Sequence, residues 1–382
     1  MIIQSTQELS DICAKLAKKP YITIDTEFLR DKTYFSKLCL VQLAAEDVDP
    51  VAIDPVGTDV DLAPLFQLLQ NKKVVKVFHA ARQDLEIFYQ LTDKVPTPIF
   101  DTQVAAMVCG YGDSISYAKL VGDITDTQLA KTSQFTDWSK RPLSKKQLSY
   151  ALGDVTHLRD VYEYLSERLH KQKRLKWVEE EMAILTNPKT YEIAPQEVWQ
   201  RIKIRSDKPR TLAILRELAA WRENLAVKKD LPRNRIVKDD VLAGIALYEP
   251  KTKEALQRIR GIPAPIAKGR DTKTILDLIQ KALKSPEKSW PKIEAGKPFP
   301  KELSPSLEMM KLLLKINASE NDVVPKLIAS PKDLEKIVLN DKADVIALKG
   351  WRHELFGKEA LLLKKGKIAL TIEKNKIKKI SI

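Results

Sequence analysis

Apart from the last twenty residues, strand-like runs occur only before residue 79, and this distribution constrains the fold of the 382-residue chain most tightly. The first run, Tyr21-Ile22-Thr23-Ile24 behind Lys19-Pro20, is β-branched and aromatic and reads as a buried strand. Residues 38–44, 51–54 and 73–78 read as three more. The links among the first three are too short for helical crossovers, which predicts an antiparallel meander. The fourth strand follows a helix over 62–69 and is expected to run parallel to the first. Helices are predicted over 4–17 (capped by Ser5 or Thr6), 84–91, 101–109, 144–171 and 177–185, with 110–141 polar and irregular. Strands first, with helices alternating later, define an α/β front domain over 1–190, closed by Asn187-Pro188.

Behind this boundary the pattern turns helical, with short amphipathic stretches over 195–205, 211–226, 238–247, 251–258, 307–317 and 331–339. A weak repeat relates Pro232-Arg233-Asn234-Arg235-Ile236 to Pro325-Lys326-Leu327-Ile328-Ala329. Each copy has a helix before it and a glycine turn after it, at Gly261 and Gly350. Two small all-α domains are expected, over 191–285 and 301–382, joined by a proline- and lysine-rich linker over 286–300. The lysine-rich segment 364–382 reads as a hairpin or a tail.

Charge divides the chain in the same place. Residues 1–190 carry 24 Lys and Arg against 26 Asp and Glu, while residues 191–382 carry 41 against 25. A near-neutral front and a rear of net +16 suggest chemistry in front and polyanion holding behind. No apolar run is long enough to span a membrane, and no signal-peptide pattern opens the chain. Cys13, Cys39 and Cys109 lack metal or redox spacing and read as core thiols of a reducing, cytoplasmic protein.

Asp25 and Glu27 follow the first strand run, and positions i and i+2 of an extended chain point to one side. Two carboxylates held that close repel unless a cation lies between them or one is protonated. Asp84 begins the helix after the fourth strand, where aspartate also serves as an ordinary cap. Tyr150 and Asp154 share one face of the helix over 144–171.

The combination resembles the tyrosine-bearing branch of the DEDD exonuclease superfamily. The motifs Asp25-Thr26-Glu27-Phe28, Leu40-Val41-Gln42-Leu43, His79-Ala80-Ala81-Arg82-Gln83-Asp84, Asp137-Trp138-Ser139-Lys140-Arg141-Pro142-Leu143 and Gln147 to Val155 resemble the ribonuclease D family. The two rear repeats resemble HRDC domains. The resemblance implies an RNase H-like mixed sheet and hydrolysis of RNA from a free 3′ end, releasing nucleoside 5′-monophosphates. It also implies two divalent ions, Mg²⁺ or Mn²⁺, held by Asp25, Glu27, Asp84 and Asp154. Tyr150 would orient the attacking water. Precursor tRNAs are the implied substrates, bound by a monomer with no protein partner.

Four further positions carry two readings each. Phe28 either stacks on the terminal base or packs in the core. His79 either touches the nucleotide or caps its helix. Trp138 and Arg141 either frame the substrate channel or brace a structural turn. A DNA-directed exonuclease on the same fold, or a non-catalytic RNA-binding adaptor, would share the rear domains; retention of all four carboxylates and the tyrosine speaks against the adaptor.

Overall fold

The computed structural model describes residues 1–129, 136–293 and 299–382. The predicted irregular segment 110–141 and the linker over 286–300 therefore lie partly outside the described residues.

A short strand β1 (Ile2–Ile3) leads to helix α1 (Thr6–Leu16), whose N-cap Ser5 accepts from Glu8 N in a capping box. Strands β2 (Tyr21–Leu29), β3 (Lys37–Ala45) and β4 (Val48–Ile53) form the expected antiparallel meander. Helix α2 (Ala63–Leu69) crosses to β5 (Val75–Phe78), which pairs with β2 in parallel. Then come α3 (Arg82–Thr92), β6 (Ile99–Asp101), α4 (Thr102–Val108), α5 (Tyr117–Thr125), α6 (Lys145–Lys171) and α7 (Leu175–Leu185). The six strands lie in the order β1-β4-β3-β2-β5-β6, a mixed sheet with β2 near its centre.

In the front unit, two strands and a helix depart from the prediction. β1 and β6 are two and three residues long, too short for a strand-like run, and both are added in parallel at the edges. α5 lies inside the segment predicted irregular, with Leu120 and Val121 buried.

The rest of the chain forms two helical units with separate apolar cores. The first comprises α8 (Pro209–Lys229), α9 (Arg233–Ile236), α10 (Asp239–Tyr248), α11 (Lys253–Gln257), α12 (Ala264–Lys268) and α13 (Asp271–Lys284). α13 was not predicted, yet it buries Thr272, Ile275, Ile279 and Ala282 along one face. The predicted helix over 195–205 is a 3₁₀ segment, Pro195–Arg201. The second unit comprises α14 (Ser304–Glu320), α15 (Pro325–Ile328), α16 (Pro331–Leu339), α17 (Gly350–Arg352), α18 (Lys358–Lys364) and a hairpin of β7 (Ile368–Glu373) and β8 (Lys376–Ser381). The two units share an order of elements: a long helix, a four-residue helix that begins at or just after a proline, a medium helix, and later a glycine with positive φ, Gly261 or Gly350.

Both helical units touch the front unit. Tyr34, between β2 and β3, donates its hydroxyl to Glu223, and Arg233 stacks 4.9 Å from its ring centroid. On another side, the Trp177 and Trp351 rings stack at 4.5 Å, and Arg352 donates to Glu181. The chain thus closes on itself rather than extending as an open arm.

Candidate active site

Three elements converge at the centre of the sheet. β2 carries Asp25 and Glu27, α3 carries Asp84 in its first turn, and α6 carries Tyr150 and Asp154 one turn apart. α6 packs so closely on β2 that Thr23 Oγ1 donates to the Val155 carbonyl at 2.7 Å. Asp25, Glu27 and Asp154 each offer a carboxylate oxygen within 4.8 Å of the others, an arrangement able to hold a metal ion. Asp84 stands beside this trio, buried, with the Thr26 hydroxyl donating to its Oδ1.

The electrostatics follow from four acids facing one another. Burial raises the Asp25 carboxyl to about 6. Burial and then the Asp25 charge raise Asp154 to about 8, and hold Asp84 well above the usual carboxylate range. Glu27 rises to about 9, through burial and then repulsion from Asp25, Asp154 and Asp84 in turn. No lysine or arginine is among the leading influences on any of the four. An all-oxygen donor set with uncompensated negative charge fits a hard divalent cation. Burial, then Asp154 and Glu27, raise the Tyr150 hydroxyl, which hydrogen-bonds Asp154 and stays protonated at neutral pH.

A cavity of about 200 Å³ opens over the cluster, lined by Asp25, Glu27, His79, Tyr117, Tyr150 and Asp154. His79 Nε2 donates to the Ile115 carbonyl at 3.1 Å, which leaves Nδ1 to the Thr102 hydroxyl at 3.0 Å. Burial lowers its pKa, against an opposing pull from Asp101. Phe28 is half-buried at a shift in the β2–β3 register and belongs to none of the apolar clusters.

Trp138 and Arg141 do not line this cavity. Trp138 is buried with Cys39, Leu40, Ala52 and Ala151, its ring 6.3 Å from that of Tyr150. The Arg141 guanidinium pairs with Asp54 and donates to the carbonyls of Cys39, Trp138 and Lys140. Of the two sequence readings, these contacts describe the braced structural turn, with Trp138 packed behind Tyr150.

Three residues the sequence reading passed over shape the site. Thr26 fixes Asp84. Tyr117 donates to the Asp154 backbone carbonyl at 2.5 Å and lies 5.4 Å from the His79 ring. Asp101 caps α4 and accepts from the Ala80 and Ala81 amides, holding Ala80 at φ +57° in the turn between β5 and α3. Ser116 ahead of Leu120 and Val121 is a helix-start signal that would have located Tyr117.

Residues 1–170 match the model of a family described as 3′-5′ exonuclease, and residues 211–279 match that of the HRDC domain. Fold and site together define a nuclease of that class with a helical C-terminal domain. Ribonuclease D of Nitrobacter hamburgensis is 46% identical, with 99% of each chain covered; that of Jannaschia sp. is also 46% identical, over 100% of this chain and 99% of the relative. The crystal structure of Escherichia coli RNase D, an exoribonuclease involved in structured RNA processing, superposes with a TM-score of 0.83 at 28% identity, covering 95% of this chain and 98% of that one. The chain belongs to the ribonuclease D family and is a 3′-5′ exoribonuclease.

Proposed function

We propose that the 200 Å³ cavity is where this exoribonuclease cuts, with Asp25, Glu27, Asp84 and Asp154 holding two divalent cations, Mg²⁺ or Mn²⁺. The observation that carries this reading is the trio of carboxylates within 4.8 Å, each raised in pKa by burial and two of them also by acidic neighbours. Bound there, such cations supply neutralisation of the phosphate charge and activation of water.

The protein's own groups supply positioning. Asp25, whose charge acts on Glu27, Asp84 and Asp154 alike, would be the ligand common to the cluster. The Tyr150 hydroxyl, which gives its one proton to Asp154, would accept a hydrogen bond from the attacking water and so orient it, rather than removing its proton. Thr26 keeps one Asp84 oxygen engaged and aims the other. His79 lines the cavity where the terminal nucleotide would lie, and half-buried Phe28, one residue past Glu27, would offer its ring to the base. Hydrolysis from the RNA 3′ end would then release nucleoside 5′-monophosphates.

The helical units supply the grip on RNA. Residues 191–285 form the HRDC domain and residues 301–382 a second, HRDC-like one, a reading supported by their matching order of helices. The +16 on residues 191–382 fits non-specific binding of phosphates. Precursor tRNAs with extended 3′ tails are the substrates this arrangement suits, with the tail in the cavity and the folded body on the basic rear. The three free, buried cysteines accord with a reducing cytoplasm. Asp25→Asn should abolish 3′ trimming of such a tRNA while its affinity for the RNA stays within about twofold. Undiminished trimming by this variant would overturn the assignment.

A further inference from the structure

A second cavity, of about 360 Å³, opens where the front unit meets the first helical unit, and Arg30, Tyr34, Arg201, Arg222, Arg233 and Asp239 line it. Four guanidinium groups around one space favour an anionic occupant. Three already have a carboxylate: Arg30 with Glu86 at 3.1 Å, Arg222 with Asp239 at 2.7 Å, and Arg233 with Glu223 at 2.5 Å. Arg201 is exposed and, among the described residues, has no ion pair. Arg222 is 3% exposed, yet its Nε meets no hydrogen-bond acceptor among the described residues. A buried donor left unpaired is unfavourable, and an oxyanion seated against it would relieve that. The planar, permanently charged fork of arginine suits phosphate oxygens better than that of any other side chain.

Position ties this cavity to the catalytic one. Arg30 follows Glu27 by three residues, roughly 10 Å along an extended chain. Its partner Glu86 stands two residues beyond Asp84 on α3. A strand of RNA leaving the carboxylate cluster along β2 therefore meets Arg30 first and Arg201 across the cleft.

We propose that this arginine-lined cleft takes the phosphodiester backbone of the substrate upstream of the bond being cut, at about three stacked nucleotides from it. Arg30 and Arg201 contact phosphate oxygens, and the Arg222 Nε lies behind them. The inference rests on catalysis at Asp25, Glu27, Asp84 and Asp154. It makes the junction between the two units a sensor of substrate length: an RNA of three nucleotides ends before the cleft, whereas one of ten fills it.

The test compares kcat/KM for decaadenylate and triadenylate in the full-length protein. Arg201→Glu, and separately Arg30→Ala with Arg201→Ala, should lower the decamer-to-trimer ratio at least fivefold through KM. An unchanged ratio overturns the proposal. Equilibrium binding of the decamer, measured in an Asp25→Asn background against KCl, should show a log–log slope shallower by about 0.7 for each phosphate contact that Arg201→Glu removes. An unchanged slope overturns it equally. Residual hydrolysis in Asp25→Asn alone would sink the catalytic assignment instead, and the length ratio reads independently of that result.

Discussion

Thr26 occupies the unspecified position of Asp25-Thr26-Glu27, and through its hydroxyl it is what fixes Asp84 across the site. Strand parity made Asp25 and Glu27 legible, because alternation alone places them on one side of β2. Helical spacing did the same for Tyr150 and Asp154. The roles of Tyr117 and Asp101 were not legible, because they depend on backbone groups of distant segments, the Asp154 carbonyl and the Ala80 and Ala81 amides. Sequence patterns report side-chain periodicity and carry little about such long-range capping. The acids also imply a pH dependence. Asp25, Asp154 and Glu27 hold protons in the fold up to about 6, 8 and 9, whereas unfolded carboxyls release them near pH 4. Between these limits the folded state binds more protons, so its stability is greatest below about pH 4 from this source and declines as pH rises toward 9. Without divalent ions, Tm measured in EDTA should therefore fall across pH 6 to 9 relative to a Glu27→Gln variant. Added Mg²⁺ should raise the Tm of the unsubstituted protein most at the alkaline end, since binding displaces those protons. A Mg²⁺ effect independent of pH would contradict the shared burial of these carboxylates.

At the scale of elements, α6 is the part on which the site depends. Its range was legible as 144–171, and its 27 residues supply the tyrosine and the last carboxylate while packing on four strands, β2 to β5. Elements whose identity rests on their own periodicity were found, including α16 at its full extent, Pro331–Leu339. β1 and β6 were missed because two or three residues carry no alternation, and only pairing with β4 and β5 makes them strands. α13 has a clear apolar face, but it follows Gly261-Ile262-Pro263-Ala264-Pro265, whose turn signals hid the helices beyond. Within α6, Gly153 is a helix-interior glycine whose added Cβ would meet no atom within 4 Å. Alanine there removes unfolded-state freedom without a clash. Gly153→Ala should stabilise the front unit by about 0.5–1 kcal/mol, read as a higher urea midpoint with an unchanged slope. A lower midpoint would mean that α6 is bent or more crowded at this turn than its surroundings indicate.

For the whole molecule, the sequence announced a neutral front and a basic rear but left their arrangement open, because the contacts that join them are individual side-chain pairs far apart in the chain, such as Tyr34 with Glu223 and Arg352 with Glu181. Tyr34 binds the first helical unit through Glu223 and Arg233. The second helical unit returns to α7, where Arg352 links three groups: it donates to Glu181 and to the Leu327 carbonyl, and stacks 4.6 Å from the Trp351 ring centroid. Arg352 and Glu181 are both largely buried, with side chains 6% and 11% exposed. Burial pushes the Glu181 carboxyl up, and Arg352 draws it only part of the way back. Removing one partner of such a pair leaves an uncompensated charge in a poorly solvated contact, a loss of about 3–5 kcal/mol. Arg352→Ala should therefore release the second helical unit from α7, seen as a larger radius of gyration in small-angle scattering and a lower urea midpoint. Combining it with Glu181→Gln should recover much of that loss, because the neutral amide no longer needs a cation. If Arg352→Ala leaves both measurements unchanged, the stacked Trp177 and Trp351 rings hold the closure by themselves. The same double variant would then lack any coupling between the two substitutions.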